Sequence, residues 1–154
     1  MVTTERDYDD PSVRQLAVFL QNRVGQLREV LKVLDGANVG VQALTVYDSA
    51  DFAVGRLVCD RHDAAARALK DAGFAFTENV VLVVEIPSEP SGLLSVCRAL
   101  LQGEVNIHAC YPLLTRPTGA QAVVFHVDSL HQALELLRKN GFRLLDDRDF
   151  VRPV

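Results

Sequence analysis

The sequence predicts an α+β protein made of two tandem copies of one β-α-β-β-α-β plait. Two patterns carry that expectation. The first is an internal repeat: Leu27, Val30, Leu31 and Leu34 recur at Leu93, Val96, Cys97 and Leu100, shifted by 66 residues (93 − 27), while Ala65, Leu69, Gly73 and Phe74 recur at Ala133, Leu137, Gly141 and Phe142, shifted by 68. The second is the same succession of short apolar runs and helical periodicity within Leu16 to Phe74 and again within Leu82 to Phe142. Two added residues separate the shifts, and they fall where Asp48-Ser49-Ala50-Asp51 becomes the longer turn around Thr115 to Gly119.

In the first copy, Gln15 to Leu20 is a buried strand, ended by the polar Gln21-Asn22-Arg23. Leu27, Val30, Leu31 and Leu34 stand at i, i+3, i+4 and i+7 and share one helix face, with Arg28, Glu29, Lys32 and Asp35 opposite. Gly36-Ala37-Asn38 stops that helix, because Gly and Asn tolerate the left-handed backbone of a helix exit. Val39 to Tyr47 and Phe52 to Cys59 form a hairpin around the turn formers Asp48, Ser49 and Asp51. Asp60 is an expected N-cap for an alanine-rich helix ending at Gly73, and Phe74 to Thr77 is a fourth strand. The second copy repeats this with strand Val80 to Ile86, helix Leu93 to Leu101, strands Val105 to Leu114 and Ala122 to Val127, N-cap Asp128, helix Leu130 to Asn140 and strand Phe142 to Asp146. Only Thr77-Glu78-Asn79 is left as a linker, so the copies cannot tumble freely. The expected divisions are a tail at 1–13, a first module at 14–78, a second at 79–150 and a short tail at 151–154.

A chain of 154 residues with 49% hydrophobic and 23% charged residues is globular in composition. Each half alone is small enough to be marginal, so the halves are expected to gain stability by packing on each other or on another copy of the chain. A net charge of −4 offers no field to gather phosphates, which argues against a nucleic-acid partner. Met1 to Pro11 is charged and carries no signal-peptide apolar stretch, and no run approaches the roughly 20 apolar residues of a membrane span. A cytoplasmic protein with no membrane association is the expectation. Cys59, Cys97 and Cys110 lie in apolar periodic segments without Cys-x-x-Cys spacing and read as buried reduced thiols.

The segment Asn22-Arg23-Val24-Gly25-Gln26-Leu27 runs from a strand into a helix N-terminus, where unpaired backbone N–H groups favour an anion and Gly25 lets a carboxylate approach the main chain. On spacing alone Gly25 also reads as a simple turn residue and Asn22 as a cap. In the frame of a β-α-β-β-α-β unit, this N-x-x-G-x-L loop resembles the ACT domain, a small ferredoxin-like module that senses amino acids. The phrases that carry the resemblance are Leu16 to Asn22, Asp48 to Phe52, Arg56 to Asp60, Val105-Asn106-Ile107 and Gly141 to Leu145. From Leu16 onward the chain is similar to small stand-alone proteins made of two tandem ACT domains.

That resemblance implies that the modules pack side by side, second strand against second strand, in an eight-stranded antiparallel sheet with helices on one face. It also implies that a ligand lodges between the strand-to-helix loop of one module and the second strand of the other. The family loop carries Pro before its Gly; here Val24 precedes Gly25, whereas the second copy keeps Pro90 but has Ser91 at the position of Gly25 (25 + 66). Likewise Gly40 replaces the family Asn at the start of the second strand, and Asn106 retains it. Both departures favour one site per chain, made by Asn22, Arg23, Val24, Gly25, Gln26 and Leu27 facing Asn106, Ile107 and His108. Backbone N–H groups of Gly25 to Leu27 would take a ligand carboxylate, Asn22 and Asn106 its polar groups, and apolar Val24, Leu27 and Ile107 a branched aliphatic side chain. The resemblance further implies a non-catalytic regulatory protein, allosteric in action, with no cofactor and with a homodimer as the expected assembly. The alternative it leaves is a ligand-free interaction module for an amino-acid biosynthetic enzyme such as acetolactate synthase.

Other functions find less support in the residues. His62, His108, His126 and His131 fall in no Ser-His-Asp, Cys-His or His-Glu-x-x-His pattern, which argues against an enzyme. His62 and His131, near helix starts, read as solvated. His108 and Cys110, at i and i+2 of one strand, share a face and motivate a metal or redox site, but two ligands do not complete one. Tyr47 and Tyr111 read as strand aromatics that could edge the junction, and Val80 to Val84 and Ala122 to Phe125 as sheet core.

Overall fold

The computed structural model describes residues 11–21, 25–48 and 52–150. Its elements follow the doubled order: β1 (Val13–Leu20), α1 (Gln26–Gly36), β2 (Val41–Asp48), β3 (Ala53–Cys59), α2 (His62–Asp71), β4 (Phe76–Glu85), α3 (Gly92–Gln102), β5 (Ile107–Pro112), β6 (Ala122–Val127), α4 (Leu130–Lys139), β7 (Leu144–Leu145) and a closing 3₁₀ turn, Asp147–Phe150.

One sheet holds seven strands in the order β2-β3-β1-β4-β6-β5, with β7 also on β4. The expected eight become seven because the fourth strand of the first copy and the first strand of the second are a single strand. Residues 76–81 of β4 pair with β1, and residues 82–85 pair with β6. Thr77, Glu78 and Asn79, expected as a linker, are ladder residues opposite Ala17, Leu16 and Gln15. The second strands do not lie side by side along their length either. β2 and β5 are the two ends of the sheet, and they touch at one antiparallel bridge, Ala43 to Leu113. The sheet therefore curls until its edges meet.

Strand alternation divides the apolar residues between the two faces of this curl. On the convex face, Leu16, Val18 and Leu57 pack with Val30 and Leu34 of α1 and Leu69 of α2, while Leu82, Val84 and Phe125 pack with Val96 and Leu100 of α3 and Leu137 of α4. Each fully buried leucine here contributes about 1.5–3 kcal/mol relative to exposure. The concave face carries no helix: Val13, Ala43, Val58, Val81, Val83, Tyr111, Ala122, Val124, Leu145 and Phe150 form one cluster drawn from both copies. All four helices thus lie on one face, as expected. Val81 to Val84 are fully buried, but Val80 is 46% exposed.

The helix exits are duplicated in detail. Asn38 and Glu104, 66 residues apart, have φ of 57° and 54°, and Gly73 and Gly141, 68 apart, have 84° and 80°. Asn38 rather than Gly36 supplies the left-handed turn after α1, because the helix runs through Gly36. Asp60 and Asp128 are not N-caps; those positions are Arg61 and Ser129. Each carboxylate reaches sideways instead and accepts the backbone N–H that begins the second strand, Gly40 at 2.8 Å and Asn106 at 3.1 Å. The N–H groups of Asp60 and Asp128 return bonds to the carbonyls of Gly40 and Asn106.

Candidate functional site

Asn22, Arg23 and Val24 lie outside the described residues. Gly25, with φ of 88°, precedes α1, and its carbonyl accepts the N–H of Glu29 to open the helix. Gln26 is the first residue of α1, and Leu27 packs against the first convex core, so its side chain turns inward rather than toward a ligand. Across the chain, Asn106 is exposed and held by Asp128, while Ile107 pairs with Val127 and packs against the second core. His108 is exposed, with its ring 5.3 Å from that of His126 in an edge-to-face arrangement. A cavity of about 700 Å³ beside the first loop is lined by Gln21, Gln26, Glu29, Phe52 and Phe74 among others, and not by Asn106, Ile107 or His108.

What distinguishes the two junctions is a pair of β-bulges at equivalent places. The register of β2 against β3 shifts between Val41 and Ala43, and that of β5 against β6 shifts between Ile107 and Ala109. The extra residues are Gln42 and His108, again 66 apart (108 − 42). A bulge re-aims its side chain and bends its strand. Gln42 clasps the other copy: its carbonyl accepts Leu114 N–H at 2.7 Å and its Oε1 accepts the Thr115 hydroxyl at 2.6 Å. Beside that clasp lies a cavity of about 440 Å³ lined by Leu93, Leu114, Thr115 and Arg116 among others. His108 makes no such clasp. It turns to His126, which explains why His108 and Cys110 do not share a face: Cys110 pairs with Phe125, and its thiol is influenced by Cys97 of α3 on the convex side.

At the His108 end the curl stays open. Phe19 and Tyr47 are 44% and 65% exposed, whereas Val13 and Ala43 toward the other end are fully buried. Between these ends the concave face becomes polar. Arg56 Nη1 lies 3.1 Å from His126 Nδ1. A guanidinium only donates, so Nδ1 is the acceptor and the neutral ring keeps its proton on Nε2. Burial first, then the charges of Arg56 and His108, hold the His126 imidazole below its usual pKa. Deeper in, buried Gln15 accepts the Tyr111 hydroxyl at 2.5 Å and donates to Asn79 at 3.4 Å. Burial also pushes the Tyr111 phenol up, keeping it a hydrogen-bond donor. Tyr111 is a strand aromatic, as its sequence context reads, but nothing local in the sequence joins Arg56 to His126, 70 residues away.

The remaining candidates resolve differently. His62 is buried, not solvated, with Nε2 2.6 Å from Glu78 Oε1; His131 is largely exposed beside Glu135. Cys59 is buried and pushed up to about 12, Cys97 is half-buried and Cys110 exposed, so burial as a class holds for Cys59 alone. Among the described residues no three His, Cys, Asp or Glu side chains are grouped to hold a metal. No described helix is long and apolar enough to cross a membrane.

Comparison with known proteins agrees with the doubled fold. Protein BT0572 from Bacteroides thetaiotaomicron superposes with a TM-score of 0.82 at 30% identity, covering 92% of this chain and 97% of its own. The regulatory subunits of aspartate kinase from Thermus thermophilus and Thermus flavus give 0.57 and 0.55 at 15% and 13% identity, each over 86% of this chain and 94% of theirs, which is likeness of fold. No curated protein matches the chain. A family model described as an ACT domain pair matches residues 11–153, and with it the repeat, the shared β4 and the four helices on one face acquire their name: this chain belongs to the ACT domain pair family.

Proposed function

We propose that this ACT domain pair is a non-catalytic regulatory protein that binds one amino acid per chain where its two modules part. The observation that supports this most is the inequality of the two junctions. Gln42 seals one against Leu114 and Thr115, whereas the other leaves His108, Tyr47 and Phe19 accessible. The ligand lies between the first loop, Asn22 to Leu27, and the start of β5, Asn106 to His108. Backbone N–H groups opening α1 take its carboxylate, because a helix N-terminus carries unpaired donors and a favourable dipole. Binding then biases the angle between modules, which is the allosteric output, and the chain acts as a homodimer or on a biosynthetic enzyme, in the manner of a regulatory subunit.

A thermal-shift screen of the twenty amino acids tests this. An amino acid at one hundred times its Kd stabilises the chain by about 2.7 kcal/mol. We expect one small set of chemically related amino acids to raise the melting temperature. A flat screen, together with a stable complex with an amino-acid biosynthetic enzyme, would instead favour the ligand-free interaction module. That second reading draws on Leu94 and Leu101, one helix face of α3, which are 50% and 72% exposed.

A further inference from the structure

We infer that the open mouth of the curled sheet is an oxyanion site, in which Arg56, His108 and His126 receive a carboxylate or phosphate group. The three side chains come from β3, β5 and β6, so the site exists only where the first copy meets the second. Arg56 is half-buried, and among the described residues no carboxylate pairs with it. Arg14, also partly buried, is by contrast bonded to both Asp63 and Asp147. A partly desolvated cation beside two imidazoles is costly without a counter-charge, and the described residues supply none.

The internal repeat supplies a control for that reading. The positions equivalent to His126 and Arg56 are Val58 (126 − 68) and Val124 (56 + 68), and both are fully buried in the concave core. The equivalent of His108 is Gln42, spent on the clasp. One junction is thus Val, Val and a sealing Gln; the other is Arg, His and an unsealed His. Packing alone favours the apolar version, so the polar set at the open end calls for a ligand.

The chemistry fits an oxyanion and little else. Arg56 has donors left after one N–H goes to His126, the His126 Nε2–H is a further donor, and His108 adds a ring N–H. Among the described residues, the groups facing them are neutral or proton-bearing: Thr45 on β2, Ala17 and Gln15 on β1, Thr77 and Asn79 on β4, and Tyr111 on β5. Tyr47 of β2 shares this face at the rim. An arriving anion stabilises imidazolium, so binding takes up protons and tightens as the pH falls through the histidine range.

The inference goes beyond an amino-acid ligand, since any small oxyanion of suitable size satisfies it. Calorimetric titration of the full chain with succinate and with inorganic phosphate, at low salt and at about pH 6 and about pH 8, tests it directly. We expect saturable binding of at least one, tighter at the lower pH and weakened about tenfold or more by Arg56→Gln. Succinate alone would assign a carboxylate ligand and phosphate alone a phosphorylated one; both would assign the shared chemistry. His108→Gln, at an exposed position, should weaken binding even if Arg56→Gln does not fold. Failure of both anions to bind, or affinities in both variants within about twofold of wild type, would overturn the inference. A flat amino-acid screen with these anions still binding would remove the amino-acid reading and leave this one.

Discussion

At the scale of single residues, the chain's decisive features are the places where its two copies disagree. His126 stands where the first copy has Val58, and burial, Arg56 and His108 all press its imidazole toward the neutral form. The unfolded chain titrates near the ordinary histidine value of about 6.5, above the folded one. Between the two values the unfolded state binds the extra proton, so stability falls as the pH is lowered through that window and is restored above it. Melting temperatures measured across it at low salt should therefore decline more steeply for wild type than for His126→Gln. Equal slopes would mean that His126 does not titrate in this surrounding. Gly40 shows a disagreement of another kind. A Cβ there would sit 2.6 Å from Asp60 Oδ2, so a side chain at this position would have to displace the carboxylate that accepts the Gly40 N–H. Spacing reveals the substitution but not this contact, which depends on Asp60 reaching sideways instead of capping α2.

At the scale of elements, the helices and the convex faces of the strands were legible because their apolar periods are regular. Leu34, Leu69, Leu100 and Leu137 are buried where the periodicity puts them. The fusion of two strands into β4 was not legible. Thr77, Glu78 and Asn79 are polar, and polarity between two apolar runs reads as a linker, yet Asn79 and Glu78 sit on a sheet that offers them Gln15 and His62 as partners. The bulges were equally hidden, since one extra residue leaves no compositional trace. The second strand-to-helix loop has its own constraint at Gly92, where a Cβ would lie 2.2 Å from the Pro87 carbonyl oxygen. Gly92→Ala should destabilise the chain by about 1–3 kcal/mol through forced backbone movement. Chemical denaturation measures this, and an unchanged midpoint would show that the loop relaxes freely.

At the scale of the whole molecule, duplication has produced one curled sheet rather than two plaits laid edge to edge. A shared β4, a helix-free concave core drawn from both copies and the Ala43–Leu113 bridge make the halves mutually dependent. The family's expected strand-against-strand junction contracts to that bridge, and the freed length of β2 and β5 becomes the mouth. The sequence repeat made two halves legible; which junction closes depends on Gln42, a residue with no signature of its own. The central claim is that only the open junction takes a ligand. Its most direct measurement is the calorimetric stoichiometry of the amino acid giving the largest thermal shift. We expect one molecule per chain, whereas two per chain, or no binding heat from any of the twenty, would contradict it.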